Sequence, residues 1–183
     1  MIQTELDILR EVSGLLESAG IAFMLTGSVA MHYYAQPRMT RDIDLVVALD
    51  QKDAETIVRL FEGDYYVDRQ AVHRAIAQRS IFNLIHNESV IKVDFIVLNS
   101  GHYRREEFAR RRKITLGDFQ TWIVSQEDLI LSKLYWARDS KSEMQLRDVR
   151  NLITAECDAD YLRSRAQQIG VMELLEEAMT DDE

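Results

Sequence analysis

Residues 43–48, Ile-Asp-Leu-Val-Val-Ala, are apolar and β-branched apart from one acid, and such a run reads as a buried strand. Two carboxylates, Asp42 and Asp44, nevertheless sit at its leading end. Alternate side chains on a strand share a face, so both acids project together while Ile43 and Leu45 point into a core. Two like charges about 4 Å apart repel by roughly 4 kcal/mol at an effective dielectric near 20. Either one carboxyl keeps its proton or a cation binds beside it. The chain must therefore fold so that one edge of a buried strand opens onto a polar site.

A third acid repeats the pattern. Asp94 lies inside Ile91-Lys92-Val93-Asp94-Phe95-Ile96-Val97, where a charge has no packing role. Residues 80–85 and 90–98 read as a β-hairpin with a four-residue loop, and pairing of that hairpin beside the Asp42 strand completes a three-carboxylate cluster. Oxygen ligands of this kind suit Mg²⁺, and such a cluster can hold two ions about 3.5–4 Å apart. Lys92 shares the face of Asp94, which leaves an ion pair and a catalytic role equally open. Upstream, Thr26-Gly27-Ser28 ends a short apolar run, 21–25, and opens a helix to Tyr34 capped by Ser28. Glycine admits a close phosphate, a helix N-terminus offers free N–H groups, and Ser28 adds a hydroxyl. Pro37 closes this unit.

The remaining pattern gives an α/β fold. Residues 4–19 form an amphipathic helix through Leu6, Leu9, Val12, Leu16 and Ala19, capped by Thr4 and ended at Gly20. Asp50 caps a helix to Phe61, 65–67 is a short strand, 70–78 a helix, and 113–116 and 119–124 are weaker strands. From Ser125 the pattern turns helical, with capping-box sequences at 125–128 and 142–145 and helices over 160–168 and 171–179. The expected architecture is α+β: a small mixed sheet flanked by helices over 1–124, followed by a helical subdomain over 125–183.

Composition narrows the chemistry. A formal net charge of −9 makes a poor non-specific binder of phosphate backbones, which rely on Lys and Arg. One basic run stands out, Arg104, Arg105, Arg110, Arg111, Arg112 and Lys113, interrupted by Glu106 and Glu107. A solvated charged helix is the first account of it, and contact with RNA the second. The lone Cys157 excludes a disulfide framework, and His32, His73, His86 and His102 lack metal-ligand spacing. No basic–apolar leader and no apolar run near 20 residues is visible, so a cytoplasmic protein without a membrane span is expected.

Gly27-Ser28, thirteen intervening residues, Asp42-Ile43-Asp44 and a later strand bearing Asp94 resemble the signature of DNA polymerase β-type nucleotidyltransferases over residues 20–98. The resemblance implies transfer of a nucleoside monophosphate from an NTP. Gly27 and Ser28 would bind its phosphates, Asp42 and Asp44 would bind Mg²⁺, and Asp94 would bind metal and activate the acceptor hydroxyl. The form Arg-x-Thr-x-Asp-x-Asp at 38–44, with the helical segment 127–134 and Arg147-Asp148-Val149, is similar to the AbiEii-like group, many of them toxins of toxin–antitoxin systems. That group implies triphosphate contact by Lys133 and an active-site place for Asp148. From the residues alone, Lys133 equally fits a snorkelling helix lysine, and Asp148 a partner of Arg147 or Arg150. The AbiEii resemblance implies a tRNA or protein acceptor and an antitoxin partner. An aminoglycoside or lincosamide acceptor, or a non-catalytic NTP-binding subunit, are the alternatives.

Overall fold

The structure, a computed structural model, describes residues 4–35, 42–140 and 142–180. Pro37 and residues 38–41 of the Arg-x-Thr-x-Asp-x-Asp form lie outside the described residues.

Helix α1, Glu5–Ser18, starts at a capping box: the Asp7 amide donates to Thr4 Oγ1 while Thr4 N donates to Asp7 Oδ2 at 2.9 Å. It ends before Gly20, whose φ of +68° is the left-handed stop that glycine permits. Its buried face is Ile8, Leu9, Val12 and Leu16; Leu6, expected in that stripe, is half exposed. Strand β1 (Phe23–Thr26) then leads directly into α2 (Gly27–Tyr34), with Thr26 rather than Ser28 at the N-cap position. Strand β2 is Asp42–Val47. Asp50 opens a 3-10 turn, Gln51–Asp53, that runs into α3, Ala54–Phe61, and the two-residue strand β3, Tyr65–Tyr66, follows.

Helix α4 (Arg69–Gln78) precedes the hairpin β4 (Ile81–His86) and β5 (Lys92–Val97), and the short helix α5 (His102–Ala109) precedes β6 (Arg112–Leu116) and β7 (Phe119–Ile123). Helices α6 (Gln126–Ser140), α7 (Glu143–Leu152), α8 (Ala159–Ile169) and α9 (Met172–Thr180) are the remaining elements among the described residues. All seven strands form one mixed sheet in the order β3-β4-β5-β2-β1-β7-β6, parallel at β5/β2 and β1/β7 and antiparallel elsewhere. This is the α/β architecture that the alternating and then helical patterns predict.

Burial follows the period of two. Along β4 and β5 every second residue is buried, so one face of this half of the sheet meets a core and the other a cleft. On the core face Phe82 stacks on Phe95 with ring centroids 5.0 Å apart, and Phe61 of α3 meets Phe95 edge-on at 5.6 Å. Asp94 lies one residue away from Phe95 and therefore on the cleft face. Buried apolar residues from Ile8 to Ala178 form a single cluster, in which the C-terminal helices share. Among the described residues no helix is long and apolar enough to cross a membrane.

Candidate active site

The β2–β5 register determines what sits beside what. Parallel pairing sets Asp44 opposite Asp94 and Asp42 opposite Lys92, while antiparallel pairing of β1 sets Thr26 opposite Asp44. Two carboxylates from different strands thus stand side by side where β1 turns into α2. The turn itself requires glycine twice over. Gly27 has φ +66°, and a Cβ built there would lie 2.0 Å from Asp44 Oδ2. The space that a side chain would fill belongs to the Asp44 carboxylate.

Asp44 is half-buried, and its pKa is pushed up to about 6. Desolvation is the first cause and the Asp94 and Asp42 carboxylates add to it, against smaller opposing effects of Lys92 and Lys133. A carboxyl whose folded pKa lies above its unfolded value of 3.8 holds its proton more tightly in the fold. Stability from this group is therefore full below pH 4 and is lost as pH rises toward 6. Two pH units correspond to about 3 kcal/mol at most. Asp44→Asn, which removes the charge, is expected to melt at the wild-type temperature near pH 4. By pH 7, without divalent ions, it should melt several degrees higher (about 2–4 °C per kcal/mol for a chain of this size). Thermal melts of both proteins across pH 4–8 check this, and parallel curves would refute it.

Lys92 lies between the outer acids, with Nζ 2.9 Å from Asp94 Oδ2 and 3.5 Å from Asp42 Oδ2. The ion-pair alternative for Lys92 is the one the structure realises. Among the described residues no three carboxylates or imidazoles already form a metal cage.

The carboxylates open onto a cleft of about 1020 Å³ between the sheet and helices α5 and α6, whose lining includes Gly27, Ser28, Asp44, Asp94 and Lys133. Lys133 is buried, yet it reaches the cleft because its Nζ is held from behind, 2.8 Å from Asp148 Oδ2 and 3.3 Å from Gln145 Oε1. A buried ammonium without such a partner would be strongly disfavoured. Asp148, to which the AbiEii resemblance gives an active-site place, is buried and pairs with the lysine. The structure thus brings Gly27, Ser28, Asp44, Asp94 and Lys133 to one cleft, with Asp42 exposed at the outer end of β2. Tyr34 donates its hydroxyl to the Val124 carbonyl at 2.7 Å and ties α2 to the segment just before α6.

The basic run 104–113 differs from the solvated helix expected of it. Arg104 bonds Glu107 at 2.8 Å, with Glu107 only 1% exposed, and Arg110 bonds the fully buried Asp128 at 2.9 Å. The Arg111 guanidinium lies over Phe108 and Trp122, 4.3 and 4.9 Å from the ring centroids, and Lys113 pairs with Glu17. Asp128 does not stand out in the sequence as a partner of the run, because it is remote along the chain.

The fold has close counterparts among solved structures. The antibiotic-resistance factor ANT(2'')-Ia aligns over 98% of both chains at a TM-score of 0.61 and 15% identity. An antigenic nucleotidyltransferase-like protein from Paracoccidioides brasiliensis aligns over 96% of this chain and 92% of its own at 0.58 and 16%. The lincosamide antibiotic adenylyltransferase LnuA, in its lincomycin-bound structure, aligns over 83% and 98% at 0.55 and 16%. At such identities the likeness concerns the fold. No curated protein matches the sequence. Residues 5–178 match the family described as nucleotidyl transferase of unknown function, DUF2204. The chain belongs to this family. It is a nucleotidyltransferase enzyme, and the cleft is where a nucleoside triphosphate is to be sought.

Gly27→Ala tests that placement with a single methyl group. The left-handed backbone costs a non-glycine residue about 1–2 kcal/mol, and the methyl overlaps the Asp44 carboxylate. Displacing a reacting group by about 1 Å can cost roughly 10²-fold in rate. Transfer by Gly27→Ala is expected to fall by about that factor while the far-ultraviolet circular dichroism is retained. Unchanged transfer would separate the turn from the chemistry.

Proposed function

We propose that this nucleotidyltransferase moves a nucleoside monophosphate from an NTP to an acceptor hydroxyl with Mg²⁺. Asp42, Asp44 and Asp94 would be its metal-binding acids and Gly27, Ser28 and Lys133 its triphosphate contacts. The observation that carries the reading is the Asp44–Asp94 pair, held side by side by the β2–β5 register and facing a turn in which only glycine leaves room. The residues fit the ion: a set of hard oxygen donors that is costly to ionise without a cation matches Mg²⁺ rather than a softer metal. When bound, Mg²⁺ supplies charge neutralisation of the triphosphate and of the oxygens entering and leaving phosphorus.

The chain's own residues do the rest. The α2 amides and Ser28 receive the phosphates at a helix N-terminus, where the backbone dipoles favour an anion. Lys133, held by Asp148, contributes a fixed positive charge. The acceptor hydroxyl attacks the α-phosphorus in line, its proton passing to Asp94. The bond from the α-phosphorus to the bridging oxygen breaks, and pyrophosphate leaves. Positioning and preorganised charge account for most of the acceleration in such transfers. In this reading residues 1–124 carry the acids and 125–183 close the cleft from the other side with Lys133.

Two acceptor classes stand. The helical segment similar to AbiEii proteins favours a toxin-type role on tRNA or protein, with an antitoxin partner. The fold shared with ANT(2'')-Ia and LnuA favours a small hydroxylated acceptor, as does the inward use of Arg104 and Arg111, which removes part of a basic surface for RNA. Incubation of α-labelled ATP, CTP, GTP and UTP with Mg²⁺ and total tRNA, cell protein or an aminoglycoside and lincosamide panel decides between them. Label is expected on one class, with at least a tenfold loss in Asp42→Ala. Equal labelling by Asp42→Ala would sink the assignment of the acids. Mg²⁺-dependent NTP binding without label on any acceptor would indicate a non-catalytic subunit.

A further inference from the structure

Lys92 is fixed in place twice. The parallel register sets it directly opposite Asp42, and the two-residue period of β5 puts it on the face of Asp94. Its ammonium stands 2.9 Å from Asp94 Oδ2 and 3.5 Å from Asp42 Oδ2, on a side chain that is 37% exposed. Asp44, the remaining acid, is on the inner side of this group, against Gly27 and the cleft.

An ammonium and a divalent ion cannot occupy the same space between the same oxygens. Three carboxylates can hold two metals about 3.5–4 Å apart only if the oxygens between them are available to both. Here the position between Asp42 and Asp94 already holds a tethered positive charge. The position at Asp44, beside the phosphate-receiving turn, remains for a metal.

Resting on the nucleotidyltransferase reading of this site, we infer that Lys92 takes the place of one of the two cations, so that the NTP complex carries a single divalent ion. That ion belongs at Asp44, on the triphosphate side, and the lysine holds the Asp94 carboxylate in its orientation on the acceptor side. The ammonium is a hydrogen-bond donor, not a coordination centre, so the acceptor oxygen is activated by Asp94 alone.

The test counts ions. Mn²⁺ is titrated into the full chain with each α,β-methylene analogue of ATP, CTP, GTP and UTP, and electron paramagnetic resonance measures both bound Mn²⁺ and coupling between neighbouring spins. Wild type is expected to bind one ion per chain with no coupled pair. Lys92→Met is expected to bind two, doubling the stoichiometry and showing coupled spins, while Lys92→Arg stays at one. If Lys92→Met does not fold, Lys92→Gln takes its place. Two coupled ions in the wild type overturn the inference and leave the nucleotidyltransferase reading standing. One ion in both wild type and the neutral variants overturns it too, since removing the lysine then opens nothing. No ion bound beyond what the nucleotide holds in free solution would instead count against the site reading itself.

Discussion

Asp44→Asn is expected to cost nucleotidyl transfer about 10³-fold or more, the largest loss of any single substitution in the cleft. Removing one preorganised group that stabilises developing charge costs about 10²–10³ in rate, and Asp44 stands where several demands meet. It is the cross-strand partner of both Asp94 and Thr26, and its carboxylate lies in the space cleared by Gly27. The amide retains the shape and hydrogen-bonding capacity but lacks the charge that a hard cation requires. Asp42, exposed at the outer end of β2 and paired with Lys92, has less to lose. The check is single-turnover transfer at saturating NTP for wild type, Asp44→Asn and Asp42→Ala. Asp44→Asn within tenfold of wild type would show that the charge at this position is not used. The same variant should be the more stable protein above pH 6 without metal, because it no longer confines a carboxylate that burial and two neighbouring acids disfavour. Gain of stability with loss of rate separates a functional charge from a structural one.

What the sequence made legible was whatever depends on period and proximity along the chain. The strand-like runs 80–85 and 90–98, separated by four turn residues, identified the hairpin, and the β-branched run after Asp42 identified its neighbour, because such runs are readable without knowledge of partners. The capping box of α1 and the left-handed Gly20 are local as well. Other features depended on distant partners. The helix after β1 starts at Gly27 with Thr26 as its N-cap residue, and not at Ser28, because the turn must clear Asp44, seventeen residues further on. The pairing of Asp148 with Lys133, fifteen residues away, shows only in the fold. The basic run 104–113 reads as surface charge until its arginines meet Asp128, Trp122 and Glu107 in the fold. Lys92 was legible as a neighbour of Asp94, whereas its contact with Asp42 follows only from the parallel register.

Asp128 is where the largest loss of stability is expected. It is fully buried at the start of α6, and its carboxylate accepts from Ser125 Oγ at 2.6 Å, Tyr161 OH at 2.7 Å and Arg110 Nε at 2.9 Å. Those donors come from the α6 cap, from α8 and from the residue that follows α5, so one side chain joins three elements. The Arg110 guanidinium also lies 3.9 Å from the centroid of the Tyr161 ring, on a side chain that is 38% exposed. Asp128→Ala leaves two hydroxyl donors facing a cavity and a part-exposed guanidinium without its partner. An unsatisfied buried donor costs about 1–3 kcal/mol, so the two hydroxyls alone should lower the melting temperature by several degrees (about 2–4 °C per kcal/mol for a chain of this size). Asp128→Asn keeps the acceptor oxygen and should lose less, and pairing Asp128→Ala with Arg110→Met should recover part of the loss, because it also removes the stranded charge. Thermal and urea melts of the three variants measure this. If Asp128→Ala melts with wild type, the C-terminal helices are held by their apolar contacts alone. If the double variant is no better than the single one, the cost lies in the Ser125 and Tyr161 bonds rather than in the arginine.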